Sequence, residues 1–193
     1  VPHAAPSNAQ KEIPTRFGRT VSLPYRATVI YAKAIDISDP IEEAGGSNAG
    51  GQTVGILLGL RNIGTSAWSG SVSRLSKLGT SPDDKPESVI DSIGASTGPC
   101  PGPLIKSRAP VSGKPLTLAP GRTAFECVRF QLPRRENPIL FKFAAAADDY
   151  TLAAAENGSR YGVWAVPGTL VDKCRFEPGT VKGRCQGLEA GED

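Results

Sequence analysis

The sequence predicts an all-β fold built as an antiparallel sandwich, and three observations carry that expectation. Its 22 glycines and 17 prolines are spread along all 193 residues, and the runs between them are short. Those runs alternate apolar and polar side chains or are apolar throughout, which is the pattern of strands rather than of helices. Four cysteines, Cys100, Cys127, Cys174 and Cys185, match no metal-binding spacing and read as two disulfides reinforcing a chain long enough to bury its own core.

Val1 to Gly18 carries Pro2, Pro6 and Pro14 among polar residues without a repeating apolar face, and is expected to be a flexible N-terminal arm (1–18). The main sandwich is expected over 19–166. Arg19 to Tyr25 reads as a strand interrupted by Pro24. Arg26 to Ile37 reads as a longer one, with Val29, Tyr31 and Ile35 on one parity and Ile30, Ala32 and Ala34 on the other. Asp39-Pro40 to Gly51 is a glycine-rich loop. Thr53 to Ile63 is a core strand, with Val54, Ile56, Leu58 and Leu60 facing one way. Its other face holds Gly55, Leu57, Gly59 and Arg61, where the glycines admit close approach by a neighbouring element.

The turn from Asn62 to Trp68 leads into a further strand ending near Leu78, and Ser81 to Pro115 reads as a long crossover with one short apolar piece, Val89 to Ile93. Arg122 to Leu132 places Val128, Phe130 and Leu132 on one parity and Phe125, Cys127 and Arg129 on the other. Ile139 to Ala147 and Tyr161 to Val166 supply the last strands. Residues 167–193 are expected to form a C-terminal extension with a local disulfide and an acidic tail.

Four cysteines allow three connectivities, and Cys100 with Cys127 and Cys174 with Cys185 are preferred because each pair closes locally. Disulfides belong to oxidising compartments. A chain without methionine that begins Val1-Pro2-His3 is in turn expected to be the mature form of an exported protein, secreted or at the cell surface. No apolar run approaches the ~20 residues of a membrane-spanning helix, so membrane association is expected only through a partner or a lost anchor. The 22 basic and 19 acidic residues are interspersed, giving a net charge of +3 and no nucleic-acid footprint.

Thr53-Val54-Gly55-Ile56-Leu57-Leu58-Gly59-Leu60-Arg61-Asn62-Ile63-Gly64 joins a hydrophobic strand to an Arg-Asn-x-Gly turn. Leu118-Ala119-Pro120-Gly121 then opens the strand through Cys127 to Pro133, and a phenylalanine-rich strand and Trp164 follow. This order resembles the telokin-like, immunoglobulin-related family of bacterial secreted proteins and lipoproteins, to which the mycobacterial immunoprotective extracellular antigen belongs. The resemblance covers Arg19 to Val166. It implies an immunoglobulin-like β-sandwich and an extracytoplasmic location, and it brings no catalytic motif. Gly98-Pro99-Cys100 with Cys127 resembles the cysteine pattern of some actinobacterial relatives, whereas the tail with Cys174 and Cys185 lies outside the family pattern.

Chemistry-bearing residues are sparse. His3, the one histidine, sits in the proline-flanked arm, away from any nucleophile the pattern would pair with it. The cysteine spacings do not suit a zinc tetrad. Asp36, Asp39, Glu42 and Glu43 cluster at a strand end and could offer oxygen ligands to calcium, but without calcium-loop spacing they read as a solvated acidic loop; Asp148-Asp149 are similar. Asn157-Gly158-Ser159 reads as a tight turn rather than a glycosylation site. Trp68 and Trp164 are expected in the core.

Arg129, Arg134 and Arg135 form a basic stretch that could meet an acidic patch on a partner. The expectation is a non-enzymatic protein, without catalytic residues, metal or cofactor, that binds another extracytoplasmic protein or is a subunit of a larger surface or secreted assembly. The alternative is a secreted inhibitor or antigen-like effector acting through the stapled 81–115 loop, with Gly98-Pro99-Cys100-Pro101-Gly102-Pro103 at its tip.

Overall fold

The strands follow one another as β1 (Thr15–Arg16), β2 (Thr20–Tyr25), β3 (Thr28–Ile37), β4 (Ile41–Glu42), β5 (Gly51–Asn62), β6 (Trp68–Gly70), β7 (Ser76–Pro82), β8 (Asp91–Gly94), β9 (Leu116–Leu118), β10 (Thr123–Pro133), β11 (Glu136–Ala144) and β12 (Tyr161–Ala165). A helix, α1 (Leu170–Phe176), and a 3-10 turn (Pro178–Thr180) come after them. The computed structural model describes residues 13–42, 51–82, 91–96, 98–101, 104, 114–146, 161–181 and 185.

These strands make a β-sandwich. The first sheet has the order β1-β12-β11-β7-β8. The second runs β10-β5-β3-β2, with β4 continuing along β5 past the end of β3, and β6 pairs separately with β9. Period-2 patterning fixes the register. β5 and β10 pair without interruption from Arg61 opposite Thr123 to Gly51 opposite Pro133. Val54, Ile56, Leu58 and Leu60 therefore line up beside Val128, Phe130 and Leu132 on the inner face, all buried. Between β3 and β4, Pro40 can donate no ladder bond; Ser38 bridges the gap, donating its N–H to the Gly55 carbonyl and accepting the Gly55 N–H on its hydroxyl, both at 2.9 Å.

The core lies between the sheets. Phe130 of the second sheet meets Phe141 of the first edge-on at 6.2 Å, and Phe141 packs against Trp164 at 5.7 Å. Both indoles are fully enclosed, and each N–H has a carbonyl partner: Trp68 Nε1 donates to Ala146 O at 2.9 Å and Trp164 Nε1 to Arg19 O at 3.0 Å. Each ring folds over a glycine two residues away, Gly70 and Gly162, where a Cβ would run into the indole.

The corner after β5 explains the Arg-Asn-x-Gly turn. Asn62 is buried, its Nδ2 donates to the carbonyls of Ser66 and Leu118, both at 2.8 Å, and its Oδ1 accepts the Gly64 N–H at 2.9 Å. A Cβ at Gly64 would come within 2.6 Å of Thr28 Cα, so the chain passes too close for any side chain there.

Several sequence expectations are corrected. The N-terminal arm does not extend to Gly18: Thr15 and Arg16 form β1, a parallel pair with Trp164 and Ala165 and an exception to the antiparallel pattern. The stretch from Trp68 to Leu78 is two strands in different sheets, because Ser71 to Leu75 turn between them and the Leu75 N–H closes on the Ser71 carbonyl. The crossover begins after Pro82, since Ser81 and Pro82 still belong to β7, and it contains β8, paired with β7.

The C-terminal extension adds a helix to the strands of the described residues. α1 is capped by Thr169, whose Oγ1 accepts the Asp172 N–H at 3.3 Å, while Asp172 Oδ2 takes the Gly168 N–H at 3.0 Å. Its Val171 packs on Ile139 and Ala165 of the first sheet. Both preferred disulfides are present: Cys100–Cys127, 27 residues apart in sequence, and Cys174–Cys185, 11 apart.

Candidate functional site

The outer face of the second sheet divides into a covered half and an open half. The covered half is made by the crossover. After β8 the chain leaves the first sheet, and Ser96 forms a bridge to Arg129 on the free edge of β10, its N–H donating to the Arg129 carbonyl at 2.8 Å. Arg129 returns the contact, with Nη1 donating to Ser96 Oγ at 3.2 Å and Nη2 to Thr53 Oγ1 at 3.3 Å. Cys100 then bonds to Cys127, and Cys100, Leu104 and Cys127 form a small apolar cluster against Leu57. Gly55 makes this possible: a Cβ there would sit 2.8 Å from Pro101 Cδ and 2.9 Å from Cys100 Sγ. The glycines on the outer parity of β5 thus do admit a neighbouring element.

The open half lies across β3, β5 and β10. The register aligns Tyr31, Arg61 and Thr123 in one row and Lys33, Gly59 and Phe125 in the next. Ile35 shares the parity of Tyr31 and Lys33 and sits at a β-bulge between Ala34 and Asp36, and Ile35 Cδ1 and Phe125 Cε1 both close over Gly59, 3.0 and 3.3 Å from where its Cβ would be. Phe125 is nonetheless 48% exposed and Tyr31 40% exposed. Lys33 and Arg61, both exposed, stand between and beside them. The result is an exposed aromatic and aliphatic strip on a rigid sheet, studded with two cations.

The basic stretch read from sequence is not one site. Arg129 is half-buried and ties the crossover to the sheet. Arg134 and Arg135 lie in the exposed turn between β10 and β11, where Arg134 Nε pairs at 3.8 Å with Glu42 and its carbonyl accepts from Gln52 Nε2. The acidic cluster is dispersed as well: Asp36 Oδ1 accepts the N–H of Ile37 at 2.8 Å, Glu42 faces Arg134, and Glu43 lies outside the described residues with His3, Asp148, Asp149 and Asn157. Among the described residues, no three His, Cys, Asp or Glu side chains gather as a metal site.

One titratable group was missed from the sequence. Glu126 shares the inward parity of Val128 and Phe130 and is buried; its carboxyl meets no hydrogen-bond donor among the described residues, and burial pushes its pKa up to about 7. Parity alone pointed it inward.

Fold and site together define a disulfide-reinforced β-sandwich with a partly exposed apolar sheet face. No family model and no curated protein matches the chain. Among solved structures it is similar to MPT63, a secreted protein from Mycobacterium tuberculosis, with 13% identity over 82% of this chain and all of that one and a TM-score of 0.49. A likeness of that degree carries neither a residue nor a role across.

Proposed function

We propose that this is a non-enzymatic extracytoplasmic binding protein that uses the open half of the second sheet to dock an acidic surface of another protein. The observation that carries the reading is the exposure of Phe125 and Tyr31 beside Lys33 and Arg61 on a sheet held rigid by its neighbours. Aromatic side chains on a preformed surface lose little entropy on burial, and flanking cations select a partner of opposite charge. The two disulfides support an oxidising compartment.

The alternative, an inhibitor inserting its crossover loop, gains less support. Cys100, Pro101 and Leu104 are buried against the sheet instead of projecting, and Gly102, Pro103 and residues 105–113 lie outside the described residues.

The test is site-specific photo-cross-linking in the native extracellular or envelope fraction, with the reactive group at position 125 and, as a control, at position 135 in the β10–β11 turn. The expected result is one protein captured from position 125, lost when Arg61→Glu is added and unaffected when Arg135→Glu is added. Equal capture from both positions, or capture insensitive to Arg61→Glu, overturns the proposal.

A further inference from the structure

A cleft of about 310 Å³ opens where β1 and the turn after it meet the C-terminal helix; among the described residues it is lined by Thr15, Arg16, Arg19 and Phe176. Two elements separated by almost the whole sequence build it. Pairing of β1 with β12 places Arg16, and the packing of α1 on the same sheet places Phe176. The two guanidinium groups are differently committed. Arg16 lies 4.6 Å over the Phe176 ring and donates to Glu177 Oε1 at 3.3 Å, so its plane is fixed. Arg19 is held only by its backbone, whose carbonyl accepts the Trp164 indole N–H, and no described residue pairs with its guanidinium.

We infer that this cleft binds a small organic carboxylate, its carboxyl forked on Arg19 and beside Arg16, its apolar body against the edge of Phe176. The chemistry follows from the lining: a free planar fork of donors matches a carboxylate in two-point geometry, and an aromatic wall disfavours a bare hydrated ion. The volume is at the small end of ligand pockets, which limits the ligand to about the size of one ring or a short acyl chain. Glu177 keeps Arg16 oriented and balances part of its charge, so a monoanion fits better than a dianion.

The test is titration of the intact protein with benzoate and, separately, with inorganic phosphate at matched ionic strength, followed by amide chemical shifts. Saturable millimolar binding of benzoate is expected, with shifts centred on residues 15–19 and 176, weaker binding of phosphate, and loss of at least tenfold in affinity in Arg19→Gln. The Arg19 side chain is exposed, so that variant should keep the wild-type melting temperature. Phosphate binding as tightly as benzoate, benzoate binding unchanged by Arg19→Gln, or no saturable binding of either overturns the inference. Phe125→Ala leaves benzoate binding unchanged, so the cleft and the docking face fail or stand separately.

Discussion

Phe125 lies across Gly59 of the neighbouring strand, its Cε1 3.3 Å from the point a Cβ would occupy, with nearly half of the residue left to solvent. The missing side chain lets the ring lie down on the sheet. Phe125→Ala is expected to cost about 1–1.5 kcal/mol in denaturant unfolding, the share of a half-buried ring, while removing most of the affinity for a docked partner. A loss of several kcal/mol would make the ring a core residue and remove it from the docking surface.

Gly55 and the Cys100–Cys127 bridge act as one fastening. Replacing both cysteines by alanine should destabilise the fold by about 3.5 kcal/mol, the loop-closure entropy of a bridge this far apart in sequence, measured by denaturant titration of oxidised wild type against the double variant. Gly55→Val, which drives side-chain atoms into Pro101 and Cys100, should cost about 1–3 kcal/mol with the cysteines intact, and less once they are replaced and the segment can lift away.

Glu126 makes stability depend on pH. Its folded-state pKa of about 7 is raised above its ordinary value of 4.5, so the unfolded chain ionises first. The contribution is fully retained below about pH 4.5 and is lost as pH rises through 7, falling by about 2–3 kcal/mol across that window. Glu126→Gln should flatten this slope, matching wild type at pH 4 and exceeding it at pH 8 when unfolding curves are compared. A wild-type chain that gains stability between pH 5 and 8 by way of Glu126 would contradict the assignment.

Asn62 holds the corner between β5 and β6. Asn62→Ala leaves the buried carbonyl of Leu118 without its amide donor and the Gly64 N–H without its acceptor, at a cost of about 2–4 kcal/mol by thermal or chemical unfolding. Asn62→Asp keeps the bond to the Gly64 N–H but offers no donor to Ser66 or Leu118, and should be at least as damaging.

The strands with clean period 2 were legible in the sequence. The inner and outer sets of β5 and β10 follow from alternation alone, as do the outward positions of Phe125 and Tyr31 and the room left by Gly55 and Gly59. Local closure gave both disulfides. What alternation cannot give is the company a residue keeps. Phe125 and Tyr31 join one surface only because β5 lies between their strands, and Arg16 and Phe176 meet only after β1 and α1 dock on the same sheet. Short elements were illegible for a related reason: two residues of β1 or four of β8 carry no periodicity and are strands only because a neighbour pairs with them. The basic stretch misled because adjacency in sequence places Arg129 in a ladder and Arg134 in a turn.

The central claim, that the open face of the second sheet is a docking surface, is tested most directly by binding of the captured partner, purified, to immobilised wild-type protein and to a Tyr31→Ser, Phe125→Ser variant that keeps a cooperative unfolding transition well above the assay temperature. The account predicts that the variant loses at least a hundredfold in affinity and that wild-type binding weakens as salt rises, because Lys33 and Arg61 face acidic groups. Equal affinity for the two proteins, independent of salt, would contradict it.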